Sequence, residues 1–317
     1  MATCKNCGKP LILKSGKCIY CGADSNQPVS VTVGGGKAKP IIQRKTFSTR
    51  EGKTPYSQYA GQSIIPGAKT DRYGNPQGSQ YDLAKDGAFN GYKVVVLCLY
   101  HYPDVPMSNI MANAAPSLQK KGFVTELFSY DERNDLQRIR ESLGDDKCQL
   151  WVISDGDFLN VLSSPCCELI CNHFKQGRGL YIWSDNNPYF ADSNVILKKL
   201  FGSEMSGNYY ADHVLSIQSG DKQPGIIKNH PITTGIQNFY EGITISNVEL
   251  TQDLSPLVYS SDGKIVTAFY DKDGKRALID GGFTRLYYKW DSAGTDRFVV
   301  NCAAWLTNIE RFGYHPE

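Results

Sequence analysis

The chain has 317 residues and a formal net charge of +2, from 34 Lys+Arg against 32 Asp+Glu. That length allows one sizeable core and two or three structural units. No run of about 18 apolar residues is present, which excludes a membrane-spanning helix. The opening Met1-Ala2-Thr3-Cys4-Lys5 lacks the long apolar stretch of a secretory signal. The expectation is therefore a cytoplasmic protein with no membrane partner. Residues 1–91 carry 13 Lys+Arg and 5 Asp+Glu, net +8, while residues 92–317 carry 21 and 27, net −6. The two parts are read as separate objects.

In residues 1–26, "CKNCGKPLILKSGKCIYCG" sets Cys4 and Cys7, then Cys18 and Cys21, in two C-x-x-C-G units. Each turn points two thiolates at one ion, Gly8 or Gly22 permits the tight backbone, and four thiolates satisfy tetrahedral zinc. About 20 residues cannot build a core, so the metal supplies the folding energy. The reading is a structural Zn2+ site, closed to catalysis because protein fills every position. The stretch resembles the short zinc-ribbon heads of prokaryotic multidomain proteins. That resemblance implies a protein or nucleic-acid partner, and protein is the stronger expectation because the anionic Zn(Cys)4 centre offsets the flanking charge.

Residues 27–91 show turn formers and no sustained helical period, and are expected to be a flexible basic linker. Lys37, Lys39, Arg44, Lys45, Arg50, Lys53, Lys69 and Arg72 interleave with Phe47, Tyr56, Tyr59 and Tyr73. This pattern suits single-stranded nucleic acid as a weaker alternative to a solvated tether. A third reading is a segment that orders on a partner.

From residue 92 the pattern changes. "YKVVVLCLY" is the near-continuous apolar run of a parallel strand buried on both faces. Helix "SNIMANAAPSLQKKG", strand "FVTELFSY", helix "RNDLQRIRESLG" and strand "CQLWVIS" follow, then helix "CCELICNHFKQG", strand "GLYIWS" and helix "DSNVILKKLFG". Alternating strands and helices predict a flavodoxin-like α/β domain over residues 92–317, with helices on both faces of a parallel sheet. The second half is richer in strands: "YYADHVLSIQ", "EGITISNVEL", "SPLVYSS" and a hairpin "KIVTAFYDKDGKRALIDGGF" turning at Asp273-Gly274. "TDRFVVNCAAWLTNI" closes it as a helix.

The order of "QGRGLYIWSDNNP", "NHPITTGI", "ALIDGGF" and "RFVVNCAAWL" resembles the class I glutamine-amidotransferase-like superfamily, particularly its trehalose-utilisation-like and GIFT branches. In the amidotransferases of that superfamily a Cys on the strand–helix elbow is the nucleophile. Ser184-Asp185-Asn186 stands at the elbow here, so the resemblance implies a domain without glutaminase activity. Cys98, Cys148, Cys166, Cys167, Cys171 and Cys302 fall at core-like positions and are read as buried thiols. His315-Pro316-Glu317 copies the family's His-Pro-Glu but trails the last helix, and is read as coincidence. His230-Pro231 is read as a turn and His173 as a partly buried helix residue.

Polar residues follow the strand ends: His101, Asp155, Asp157, Ser184, Asp185, Asn186, Asn187 and Asp280. A parallel sheet gathers such residues on one rim, where open α/β folds bind ligands. Asp155, Asp157, Asp185 and Asp280 are candidates for a divalent cation or ligand hydroxyls; helix capping suits Asp157 and Asp192 equally. No phosphate-binding or dinucleotide loop is found. The leading expectation is a non-amidase binding or scaffolding protein with a protein partner and room for a small-molecule ligand. The alternative is a hydrolase using Ser184, with Asp185 as a second catalytic candidate, or a carboxylate-bound metal. Nucleic-acid binding through the basic N-terminal part is the weakest reading.

Overall fold

The computed structural model describes residues 13–14, 17–18, 55–60, 66–100, 107–154, 162–287, 290 and 293–312. Near the start, β1 (Leu13–Lys14) and β2 (Lys17–Cys18) pair antiparallel, Leu13 opposite Cys18. The α/β core then runs β3 (Lys93–Cys98), α1 (Met107–Lys120), β4 (Val124–Phe128), α2 (Leu136–Ser142), β5 (Cys148–Ile153), α3 (Ser164–Lys175), β6 (Leu180–Trp183) and α4 (Ala191–Phe201). These are the alternating elements expected from the apolar periods. β5 and β6 are buried at every position, and β3 at every position but Lys93, as strands covered on both faces must be.

Local chemistry ends and starts the helices. Asp135 caps α2 by accepting from the Arg138 backbone N–H, and Ser163 caps α3 by accepting from that of Cys166. α4 stops at Gly202, which adopts the left-handed conformation at φ 62°.

The second half adds β7 (Met205–Tyr210), β8 (Val214–Ser216), β9 (Gly225–Ile226), β10 (Asn238–Tyr240), β11 (Thr244–Val248), β12 (Ser255–Tyr259), β13 (Ile265–Lys272), β14 (Lys275–Asp280), α5 (Thr284–Tyr287) and α6 (Thr295–Leu306). The β13–β14 hairpin turns at Asp273 and Gly274, both with positive φ, as the Asp-Gly pair predicts. "YYADHVLSIQ" divides into β7 and β8, because Ala211 and Asp212 leave β7 to donate to the carbonyls of Ile243 and Gly242.

The main sheet has the order β2-β1-β4-β3-β5-β6-β14-β13-β12-β9. Its centre, β4-β3-β5-β6-β14, is parallel throughout. That is the 2-1-3-4-5 order of a flavodoxin-like fold. Alternate side chains build two core layers. Val94, Val96, Trp151, Tyr181 and Trp183 face α1 and α6, while Val95, Leu97, Leu150, Val152 and Ile182 face α3 and α4. Among the described residues no helix is long and apolar enough to cross a membrane.

The expected linker needs correction at its C-terminal end. Tyr56, Leu83, Ala84 and Phe89 are buried in the first core layer. The Leu83 N–H donates to Asn301 Oδ1 at 2.7 Å, and Asn75 Oδ1 accepts from Gln237 and Asn238. Lys121, 1% exposed, is paired with Asp82 and Asp86 at 2.8 Å each. Residues 55–60 and 66–91 are thus part of the domain, held by single anchors that produce no periodic pattern. The remainder of the expected linker lies outside the described residues.

Candidate functional site

β6 and β14 end side by side, Asp280 opposite Trp183, and the chain leaves each through a sharp polar turn. The Ser184 N–H donates to Asp280 O, and the Phe283 N–H donates to Ser184 O. Gly281 allows this end of β14 to lie against β11, since a Cβ there would stand 2.8 Å from Ser246 O. The rim that parallel topology predicts therefore exists, with residues 184–187 on one side and 281–285 on the other.

Ser184 is fully buried. Its hydroxyl lies 3.2 Å from Tyr189 O and 3.5 Å from Ser154 O, and it accepts from Ser193 Oγ at 3.0 Å. Among the described residues no imidazole contacts it, so nothing there prepares it as a nucleophile.

Asp185 is different. It is half-buried and no cation pairs with it among the described residues. Burial pushes its carboxyl up to about 7, against the opposing pull of the Asn186 N–H (2.9 Å) and the Thr244 hydroxyl. A carboxyl in that range can accept or give a proton near neutral pH, or accept from a ligand hydroxyl or amide. Asn186 is buried and its amide donates to Asn187 O; Asn187 is exposed and its N–H donates to Gly207 O. The Asn187-Pro188 bond is cis.

Asp280 does not reach the rim as a ligand group. It is fully buried and accepts from Tyr181 Oη at 2.9 Å, from the Gly282 N–H at 2.9 Å and from the Arg285 guanidinium. Arg285, also fully buried, donates further to Glu241 O and packs against Phe239 and Phe298. The pair ties the end of β14 to the β10–β11 connection. His101, Asp155 and Asp157 lie outside the described residues. Asp192 caps no helix: it sits inside the first turn of α4, fully buried, and accepts from the Leu162 N–H at 2.9 Å.

Sequence reasoning missed Glu241. Its side chain has no exposure, yet its oxygens accept from the His213 N–H (3.1 Å), His213 Nδ1 (3.1 Å), the Ser261 N–H (2.7 Å) and Ser261 Oγ (2.8 Å). The His213 side chain is 64% exposed. Serine and imidazole converge on one carboxylate, and Ser261 Oγ faces the same Nδ1 at 3.3 Å. That is not the serine–imidazole–carboxylate relay, which uses both ring nitrogens. No local pattern marks these three residues, which come from three separate connections.

The described cysteines are buried. Burial pushes the thiols of Cys148 to about 11 and of Cys166 and Cys171 to about 12, and raises Cys302 well above the ordinary range. His230 shapes a turn as expected, its Nδ1 accepting from the Ile232 N–H, and burial lowers it to about 4. His173 is buried with Nε2 on Gly179 O and lowered to about 3. Cys4, Cys7, Cys21 and His315-Pro316-Glu317 lie outside the described residues, and Cys18 is described in backbone only. Among the described residues no three His, Cys, Asp or Glu side chains are grouped to hold a metal ion.

No family model and no curated protein sequence matches this chain. Three solved structures are similar over 69% of it, each at a TM-score of 0.40. One is the exo-β-1,4-mannosidase Op5Man5 from Opitutaceae bacterium strain TAV5, at 10% identity over 36% of that chain. Another is a GMP synthase subunit from Thermoplasma acidophilum, at 10% identity over 98% of that chain. The third is the carbohydrate deacetylase Agd3, at 14% identity over 32% of that chain. The present chain thus spans about a third of the length of the mannosidase and deacetylase chains it matches.

Proposed function

We propose that the α/β domain is a non-amidase module that binds a small polar molecule at the rim formed by the ends of β6 and β14. One observation carries this reading: Asp185 is a half-buried carboxyl raised to about 7, with no cationic partner among the described residues, at the strand ends where open α/β folds take ligands. Ligand donors would meet Asp185, with Thr244 and Asn186 fixing its orientation. The buried thiols and the engaged Ser184 hydroxyl support binding over covalent catalysis. A second reading, proton transfer by Asp185, is favoured by the same raised carboxyl.

Cys4, Cys7, Cys18 and Cys21 are proposed to hold one structural zinc. The donor set fits that ion, and the β1–β2 pairing between the two cysteine pairs is consistent with a ribbon hairpin. We assign this head to a protein partner.

The test uses the full chain and its Asp185→Asn variant, screened by thermal shift against sugars, polyols, amides and glutamine, with ammonia release followed in parallel. Stabilisation of the parent that the variant loses, without ammonia, supports binding. Ligands that stabilise both alike sink the assignment of Asp185, and ammonia release sinks the non-amidase reading. Turnover lost in the variant selects the proton-transfer reading.

A further inference from the structure

Residues 71–82 and the start of α6 enclose a second cavity of about 410 Å3, which shares no lining residue with the rim. That size is in the range of small-molecule sites. α6 runs 12 residues and opens on Gly294, at φ 72°, where a Cβ would stand 2.6 Å from Asn238 O. Glycine is required there, and no side chain caps the helix, so its first turn faces the cavity as an anion-binding end.

An independent observation marks the same place. Thr295 lines the cavity, is 1% exposed, and its Oγ1 has no hydrogen-bond partner. Buried hydroxyls are normally matched, and a bound molecule would supply the missing partner.

The charges around it define the ligand. Asp82 is neutralised by Lys121 and Arg297 at 2.8 Å each, and Arg297 also donates to Gly235 O and Gly78 O. Asp296 is turned to Ser117. Two charged groups keep capacity. The Lys120 side chain, 48% exposed, has only a 3.8 Å contact with Asp86. Asp71 uses Oδ1 for the N–H groups of Tyr73 and Asn75, leaving Oδ2 without a partner among the described residues. Asp71, Asp82 and Asp296 outnumber Lys120 and Arg297 along the lining, which opposes a lone anion. Trp290 adds a half-buried apolar wall.

We propose that this cavity binds a small zwitterion of the amino-acid type, its carboxylate on the start of α6 with Thr295 and Lys120, and its ammonium on Asp71. Neither group needs to change its present partners to do so. The ligand also explains why the segment carrying Asp71 folds against this domain.

Trp290 is the natural reporter, because Trp151, Trp183 and Trp305 are fully buried. The full chain is titrated with each common L-amino acid, and with acetate and methylammonium as single-charge probes, by tryptophan fluorescence and calorimetry. One or more amino acids give saturable binding and the single-charge probes do not. Thr295→Val and Asp71→Asn each weaken binding about 3- to 10-fold, the value of one hydrogen bond, while Thr295→Ser retains it. Absence of saturable binding by both methods overturns the proposal. So does acetate binding as tightly as the amino acids, or an Asp71→Asn variant that binds like the parent.

Discussion

Glu241, with no exposed surface, holds His213 through both its backbone N–H and its Nδ1 at 3.1 Å, and holds Ser261 from the other side. One carboxylate thereby joins the start of β8, the end of β10 and the β12–β13 turn. Replacing it with Ala leaves buried donors unmatched, which costs on the order of 1–3 kcal/mol for each group that water cannot reach. We expect Glu241→Ala to lower stability by at least that amount in chemical denaturation, and His213→Ala to cost less because the imidazole is mostly in solvent. Equal losses would contradict the view that the carboxylate is the centre of the knot.

Asp185 couples stability to pH. Its folded value of about 7 lies above its ordinary 3.8, so the folded state binds the proton more tightly. The stability this group contributes is full below its unfolded value and is lost as pH rises through 7. The difference in unfolding free energy between parent and Asp185→Asn therefore declines between about pH 4 and 7 and levels above. Denaturant titrations at a series of pH values measure it. A difference independent of pH, or one that rises, contradicts the raised carboxyl.

Arg285 and Asp280 form a fully buried ion pair at the end of β14. Removing one partner strands the other charge, which typically costs about 3–5 kcal/mol. Arg285→Met is expected to show a loss of that order by equilibrium unfolding. A loss under about 1 kcal/mol would show that Tyr181 and the Gly282 N–H suffice for Asp280.

The six described cysteines are buried, and those with raised thiols form little thiolate at neutral pH. Native protein treated with iodoacetamide and mapped by mass spectrometry should leave all six unlabelled. If Cys4, Cys7, Cys18 and Cys21 hold zinc, elemental analysis finds one ion per chain, and a chelator makes those four reactive. Labelling of the four without chelator, or of the core cysteines before them, speaks against this division.

Much of the fold is legible in the chain because it rests on local repetition. The apolar runs at 93–98, 148–153 and 180–183 report strands covered on both faces, and the Asp273-Gly274 pair reports a hairpin. Rim residues 184–187 follow from strand ends by the same logic. Other features have no local signal. Leu83 belongs to the core through a bond to Asn301, 218 residues away, so turn-rich sequence around it reads as tether. Asp280 looks like a rim ligand until Arg285, five residues on, is seen folded back into the core to pair with it. Glu241, His213 and Ser261 meet only after three connections converge. The sequence by itself determined the secondary elements and their parallel order, since periodic burial is written residue by residue. Which polar side chains face a ligand and which are consumed in the core was decided only by tertiary structure, because desolvation and partnering depend on neighbours distant in the chain.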